Sequence, residues 1–407
     1  MKKLFTLLLL VVVAVLITGC KKDDDGQQGV TDKEVKVGNC VATSGILAPV
    51  GVPFKTGIEA YFKMINDEGG VNGRMIKYVH QDAEWDTTKA KACVEKMIED
   101  EKIFSFVGHF GTPLVGATLN DIKKAGIPSV YFATGTGILY NENAFGQDRG
   151  IYPVQPVYPM EGRIMAAWAK GQFEGSKIGV IYTNDDAGKD LLSGINNQAA
   201  ISGGMTVVSS QVAPAAEDVS AAVQSILDMN VDVIIIAAIQ GTFPQIAKEL
   251  ASQGNESPVI TTYVNASIEM TNAVKDEVGT SFDIYANSWV DVVSDPQAVA
   301  DYVEWIGKVD GDEDYSANAY AMTGWIAGHF FVEGLKAIPE DDEVTWASYM
   351  DAIESAPIKN PFGGLIDYSD GKRLGTQEMS LSKMDPTSPI GWAPFQPMQS
   401  IDDILDQ

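Results

Sequence analysis

The sequence predicts an α/β protein made of two doubly wound parallel-sheet lobes. Three observations carry this. From Glu34 to Ser288 short apolar runs alternate with helical stretches of about ten to fifteen residues, the rhythm of strand–helix–strand units. The rhythm breaks at Tyr152-Pro-Val-Gln-Pro-Val-Tyr-Pro159 and then restarts, which implies two units joined by a crossover. Val231–Ala238 (VDVIIIAA) is almost wholly apolar, as a strand covered on both faces must be.

The elements follow in order. Glu34–Val41 reads as a strand, and Pro53–Asn66 as a helix with Phe54, Ile58, Tyr61, Phe62 and Ile65 on one face, ended by Gly69-Gly70. Met75–His80 is a strand. Thr87–Asp100 is a helix with Asp86 or Thr87 as its N-cap and Val94, Met97 and Ile98 facing inward. Ile103–Gly108, Leu114–Lys124 and Ile127–Ala133 complete the first series as strand, helix and strand. The second series runs helix Met160–Phe173, strand Lys177–Tyr182, helix Ala187–Ser202, strand Thr206–Gln211 and helix Val219–Met229. Strand Val231–Ala238, helix Phe243–Ser252 and strands Val259–Tyr263 and Phe282–Ser288 close it. Beyond Trp289 come helices over Pro296–Lys308, Ala317–Ala337 and Val344–Ser355, then short strands and turns rich in Gly and Pro.

Composition narrows the partners. The 407-residue chain is 45% hydrophobic, enough for large cores, and its net charge of −26 argues against nucleic acid and anionic membrane surfaces. At the start, Lys2 and Lys3 precede an apolar run from Leu7 to Ile17, followed by Thr18-Gly19-Cys20. This is the layout of an export signal. Such a run is too short to span ~30 Å of hydrocarbon comfortably. The position of Cys20 resembles a lipobox, so residues 1–19 are expected to be a lipoprotein signal peptide and Cys20 the lipidated residue. Residues 20–33, including KKDDDGQQGVT, are expected to form a flexible linker. Cys40 and Cys93 remain. A disulfide between them is permitted outside the cytoplasm. Cys40 lies in a strand and Cys93 on an apolar helix face, and two buried thiols are the preferred reading.

In doubly wound sheets ligands bind off the carboxyl ends of the strands, at helix N-termini. The junctions here are Thr43-Ser44-Gly45, Asp82-Ala-Glu-Trp85, Gly108-His-Phe-Gly-Thr-Pro113 and Ala133-Thr-Gly-Thr-Gly137. Hydroxyls and glycines gather at three of the four. One such turn is ordinary capping; three at one sheet edge point to a ligand site with backbone amides and a Thr hydroxyl for a carboxylate.

The chain resembles the periplasmic solute-binding proteins of ABC importers, in the branched-chain amino acid (leucine/isoleucine/valine-binding) group. The resemblance runs from about Val35 to Pro394. It rests on Val37–Gly45, Gly57–Arg74, Val107–Pro113, Gly126-Ile-Pro128 and Asn184–Asp190 taken together. It implies the type I periplasmic-binding-protein fold, with two lobes closing on one solute about a three-strand hinge. The crossovers fall near Val154–Pro159, Asn287–Val290 and Met379–Ser382. Lobe 1 is then 34–156 plus 290–379, and lobe 2 is 157–289 plus 380–407.

The resemblance also implies a carboxylate grip at Gly111, Thr112 and Pro113 and at Ala133, Thr134 and Gly135, with Ser44 on the first junction. The aromatic that many relatives carry after the first strand falls at Val50, and the second-lobe tyrosine at Ala187. The acidic residue for an amino-acid ammonium falls near Tyr263, with no carboxylate there. Asp185 or Asp186 is a substitute, or else a solvated turn. Trp85 and Tyr263 flank the cleft, either stacking on a flat apolar ligand or, for Trp85, covering the sheet edge.

The expected function is a lipid-anchored extracytoplasmic substrate-binding protein that captures a small carboxylate-bearing solute and delivers it to an ABC permease. A branched-chain or related amino acid leads; an aromatic or other non-amino carboxylic acid is the alternative, and a sensing lobe for a membrane receptor is another. A monomer without metal or cofactor is expected. Enzymatic readings fail on the residues. Three histidines, His80, His109 and His329, lack metal spacing, and no GxSxG elbow occurs. Gly135-Thr-Gly137 lacks its third dinucleotide-loop glycine, which would be Tyr140. Asp310–Asp314 lacks the glycine and glutamate of a calcium loop, which fall at Tyr315 and Ala321.

Overall fold

The computed structural model describes residues 26–277, 282–309 and 311–407. The expected signal peptide, Cys20 with its lipid, and Asp310 of the acidic turn lie outside the described residues.

Two sheets organise the chain. The first has the order β2-β1-β3-β4-β5, all parallel, from β1 (Glu34–Val41), β2 (Met75–Asp82), β3 (Ser105–Phe110), β4 (Ser129–Ala133) and β5 (Ile151–Tyr152). The second repeats that order as β7-β6-β8-β9-β10. Its strands are β6 (Lys177–Thr183), β7 (Thr206–Val212), β8 (Val233–Ala237), β9 (Val259–Thr261) and β10 (Ile284–Ser288). The expectation of parallel sheets needs one correction. β13 (Glu378–Met384) and β14 (Trp392–Ser400) join the second sheet antiparallel beyond β10. The tight turn at Ser388–Gly391 can only return the chain antiparallel, whereas a parallel neighbour needs a long crossover. A minor hairpin, β11 (Ile358–Lys359) with β12 (Leu365–Ile366), precedes them.

Helices cover both sheets. On the first lie α1 (Ala48–Asp67), α2 (Thr87–Glu99) and α3 (Thr112–Ala125). With the second are α4 (Tyr158–Phe173), α5 (Asp186–Ser202), α6 (Ser220–Leu227), α7 (Phe243–Ser252) and α8 (Ile268–Val274). The chain then returns to the first sheet with α9 (Pro296–Ile306), α10 (Ala319–Lys336) and α11 (Trp346–Ile353), and ends on α12 (Ile401–Leu405) beside α4. It therefore passes between the sheets after β5, after β10 and before β13.

α1 begins earlier than the apolar spacing suggests. Pro49 suits its first turn, and the helix continues through Pro53 although that residue has no N–H to donate. Asp86 caps α2 as expected, accepting from the amides of Thr88 (2.8 Å) and Lys89 (2.9 Å). Each sheet carries one helix pair that crosses backbone to backbone. A Cβ on Gly57 would lie 1.9 Å from Ala321 O, and one on Gly324 1.9 Å from Phe54 O, so α1 and α10 meet through glycine. Gly162 and Gly194 do the same for α4 and α5.

Two expectations are corrected. Cys40 and Cys93 are joined by a disulfide, with Cα atoms 6.1 Å apart, rather than held as two thiols. The inward face of α2 packs directly on β1, so burial and bonding are both satisfied. The described end of the expected linker, residues 26–33, is seated on the first lobe. The Gln28 side-chain amide donates to Ile103 O (3.0 Å), Trp346 N donates to Gln27 Oε1 (3.1 Å), and Val30 bridges to Val35. Hydrogen bonding docks a segment whose composition offers little apolar area to bury.

Candidate ligand cleft

The carboxyl ends of the strands in both sheets face one cavity of about 830 Å³, its open mouth included. Trp85 after β2, Phe110, Gly111 and Thr112 at the β3–α3 junction, and Tyr131 and Ala133 at the end of β4 come from one side. Ile239 and Gln240 after β8, Tyr263 and Val264 after β9, and Ser288, Trp289 and Val290 after β10 come from the other. Gln155 and Tyr158, on the first crossover, lie between them.

Local backbone explains how these side chains arrive. Gly111, the N-cap of α3, sits at φ +85°, and a Cβ there would lie 2.4 Å from the Trp85 ring. Glycine is required twice over, by conformation and by contact. Between the pairs Val107–Val130 and His109–Phe132, Gly108 and Tyr131 stand opposite each other, and both are at positive φ (+74° and +61°). For tyrosine this is a strained conformation, of the kind concentrated at binding sites. Tyr131 belongs to the cavity lining, and its hydroxyl donates to Gln155 Oε1 (2.9 Å).

Aromatic rings form a belt across the cleft. Trp85 meets Phe110 (6.2 Å between centroids), Phe110 meets Phe54 (5.8 Å), and Phe54 meets Tyr131 (5.7 Å). Tyr131 meets Trp289, Trp289 meets Tyr263 (each 6.4 Å), and Tyr263 stacks on Tyr158 (6.2 Å). Trp85 thus both lines the cleft and packs on the sheet end, so its two readings are compatible.

Polar groups are few and anchored. The hydroxyls of Thr112 and Thr134 are 2.8 Å apart, and the Thr136 amide donates to Thr134 Oγ1 (3.2 Å). Gln155 Nε2 donates to the Tyr263 hydroxyl (2.8 Å), which itself donates to Pro156 O (3.0 Å). Among the described residues, no lining side chain is charged.

Of the expected site residues, Trp85, Gly111, Thr112, Ala133 and Tyr263 line the cavity. Thr134 lies one layer behind, through Thr112. Gly135 O accepts the Tyr158 amide (2.6 Å) and steers that ring. Pro113 is exposed on the first turn of α3, and neither it nor Ser44 lines the cavity. Asp186 is exposed on the first turn of α5. Asp185 Oδ1 accepts from the Gly188 amide (2.9 Å) and the Thr183 hydroxyl (2.8 Å) as the N-cap of α5, and neither aspartate lines the cavity.

One carboxylate was missed. Glu161, fully buried in α4, accepts from Tyr263 N (2.7 Å), the Thr262 hydroxyl (2.9 Å) and Asn287 Nδ2 (3.2 Å). Burial pushes its carboxyl up to about 7, against the three donors that favour the ion. It sits behind the lining and positions the Tyr263 loop. Gln155, Tyr158 and Trp289 were also missed, although the crossovers that carry them were legible and must run through the space between the sheets.

Two sheets of matching strand order thus share one cleft at their carboxyl ends, lined by aromatic and, among the described residues, uncharged side chains. The chain belongs to the periplasmic binding protein family, which matches residues 34–388. It is 23% identical over 341 residues to "Leu/Ile/Val-binding protein homolog 1" of Brucella suis, covering 82% of this chain and 85% of that one. In structure it is similar to a fatty acid ABC transporter substrate-binding protein from Thermomonospora curvata, with TM-score 0.80, 20% identity and coverage of 94% and 96%. It is also similar to a branched-chain amino acid ABC transporter protein from Thermus thermophilus with bound valine, with TM-score 0.79, 16% identity and coverage of 92% and 97%. At these identities the structural likeness shows the type I periplasmic-binding-protein fold.

Proposed function

We propose that the protein is the substrate-binding component of an ABC importer and captures an apolar carboxylic acid without an amino group. The observation that carries this is the lining of the cleft, aromatic and uncharged throughout the described residues. An ammonium there would lose water without gaining an anionic partner, a cost of several kcal/mol. A carboxylate fares better. The first turn of α3 leaves the Thr112 and Leu114 amides without helical partners, and Pro113 between them has none to leave. Either hydroxyl of the Thr112–Thr134 pair can donate to the other; with Thr134 as the donor, the Thr112 proton is free for the ligand. The belt from Trp85 to Tyr158 takes the apolar body, and closure of the lobes buries it.

The export-type leader and Cys20 support attachment to the outer face of a membrane, where delivery to a permease takes place. Its relatives include proteins named for fatty acids and for leucine, isoleucine and valine, so both ligand chemistries are candidates. Thermal-shift titration separates them. 4-Methylpentanoate and phenylacetate are expected to raise the melting temperature of the purified protein, and leucine and phenylalanine to raise it far less. Equal shifts with the amino acids would overturn this reading.

A further inference from the structure

The cleft does not end at its aromatic belt. A second chamber of about 1560 Å³, open mouth included, adjoins it, and Ala266, Ser288, Val290 and Ala319 line both. All four are only partly buried, and three are Ala or Ser, so the partition between the chambers is made of small side chains. The far walls are mainly apolar, with Val292, Met322, Ile390, Trp392, Pro394 and Met398, and are interrupted by serines and by Gln396. The one charged lining residue, Asp291, is occupied locally, its carboxylate accepting from the amides of Val293 (2.8 Å) and Ser294 (3.1 Å). The antiparallel pair β13–β14 builds much of this chamber.

We propose, on the functional reading above, that the ligand is an elongated carboxylic acid whose acyl tail passes Ala266, Ser288 and Ala319 into the second chamber. The chemistry of the two spaces is graded to such a molecule: amides and a hydroxyl at the α3 end, aromatic rings in the middle, mainly apolar walls beyond. A peptide strand is a poorer occupant. β14 is the edge of its sheet and carries Pro394 and Pro397, which cannot donate to an added strand.

The test is calorimetric titration with straight-chain acids from butanoate to dodecanoate, kept below their micellar concentrations. Past the length that fills the first cleft, each added methylene is expected to tighten binding by about fourfold until the second chamber is full. Ser382→Trp and Ala393→Trp, on separate strands and in contact with the second chamber alone, are expected to abolish that gain while leaving short-acid affinity unchanged. Their melting temperatures verify folding. Short acids that bind with no gain on lengthening overturn the inference and leave the functional reading intact. So do long acids that bind both tryptophan variants as tightly as the parent. If no acid of any length binds, the functional reading falls, and the inference with it.

Discussion

The Gly137 amide donates to Asp190 Oδ2 at 2.7 Å, tying the loop after β4 to α5 on the opposite sheet. A second direct polar bond away from the crossovers runs from Asn318 Nδ2 to Glu269 Oε1 (2.7 Å). Partial burial raises the Asp190 pKa, and the amide bond opposes that. Asp190→Ala is expected to lose about 1 kcal/mol of closed-state stability, or roughly fivefold in ligand affinity. Asp190→Asn, which keeps an acceptor, should lose less. The check is calorimetry together with the radius of gyration in solution; an alanine variant unchanged in both would exclude the bond as a latch.

Thr112 sits between Thr134 and the cleft. Thr112→Ala is expected to weaken carboxylate binding about tenfold, the loss of one hydrogen bond to an ion. Thr112→Ser restores the hydroxyl and should recover most of the affinity. Equal affinity in the alanine variant and the parent would remove Thr112 from the site.

Glu161 makes stability depend on pH in an unusual direction. Its carboxyl rises from 4.5 unfolded to about 7 folded, so between those values the native state binds more protons than the unfolded chain. This contribution is fully present below about pH 4.5 and is lost as pH rises toward 7. His80 and His109, lowered by burial from 6.5 to about 4, act with the opposite sign over much of that range. The comparison is therefore parent against Glu161→Gln by urea denaturation. The stability of the parent relative to the variant should fall steadily from pH 4.5 to 7; a flat difference would show that Glu161 titrates normally.

The Cys40–Cys93 bond closes a sequence separation of 53 residues. Cys93→Ala is expected to lower stability by about 2–4 kcal/mol, and reductant should lower the melting temperature of the parent but not of the variant. In a form lacking Cys20, thiol reagents should find no free thiol in denatured, unreduced protein. A positive thiol reaction there would restore the buried-thiol reading.

What could be read from the chain and what could not divide along a physical line. The periodicity of apolar residues, the Asp86 cap and the proline crossover are local, and strand and helix order followed from them to within a few residues at most ends. The exceptions are α1, which starts at Ala48 rather than Pro53, and β5 and the short helix α8, for which the apolar spacing predicts no element. Of the cavity lining, Gly111 and Thr112 were legible where junction chemistry marks a helix N-terminus, Ala133 at the end of its strand, and Trp85 and Tyr263 through the resemblance.

The sequence by itself determined a two-sheet α/β body and the run of strand-to-helix junctions along its sheet edge, because those properties depend on neighbours within a turn or two. Only the tertiary structure decided that Cys40 meets Cys93, that Glu161 holds the Tyr263 loop and that Asp186 stays outside the cleft. It alone also showed that the cavity lining carries no charge among the described residues and shares four residues with a second chamber. Those are meetings between segments far apart along the chain, set by how helices and sheets pack, and no local pattern encodes them.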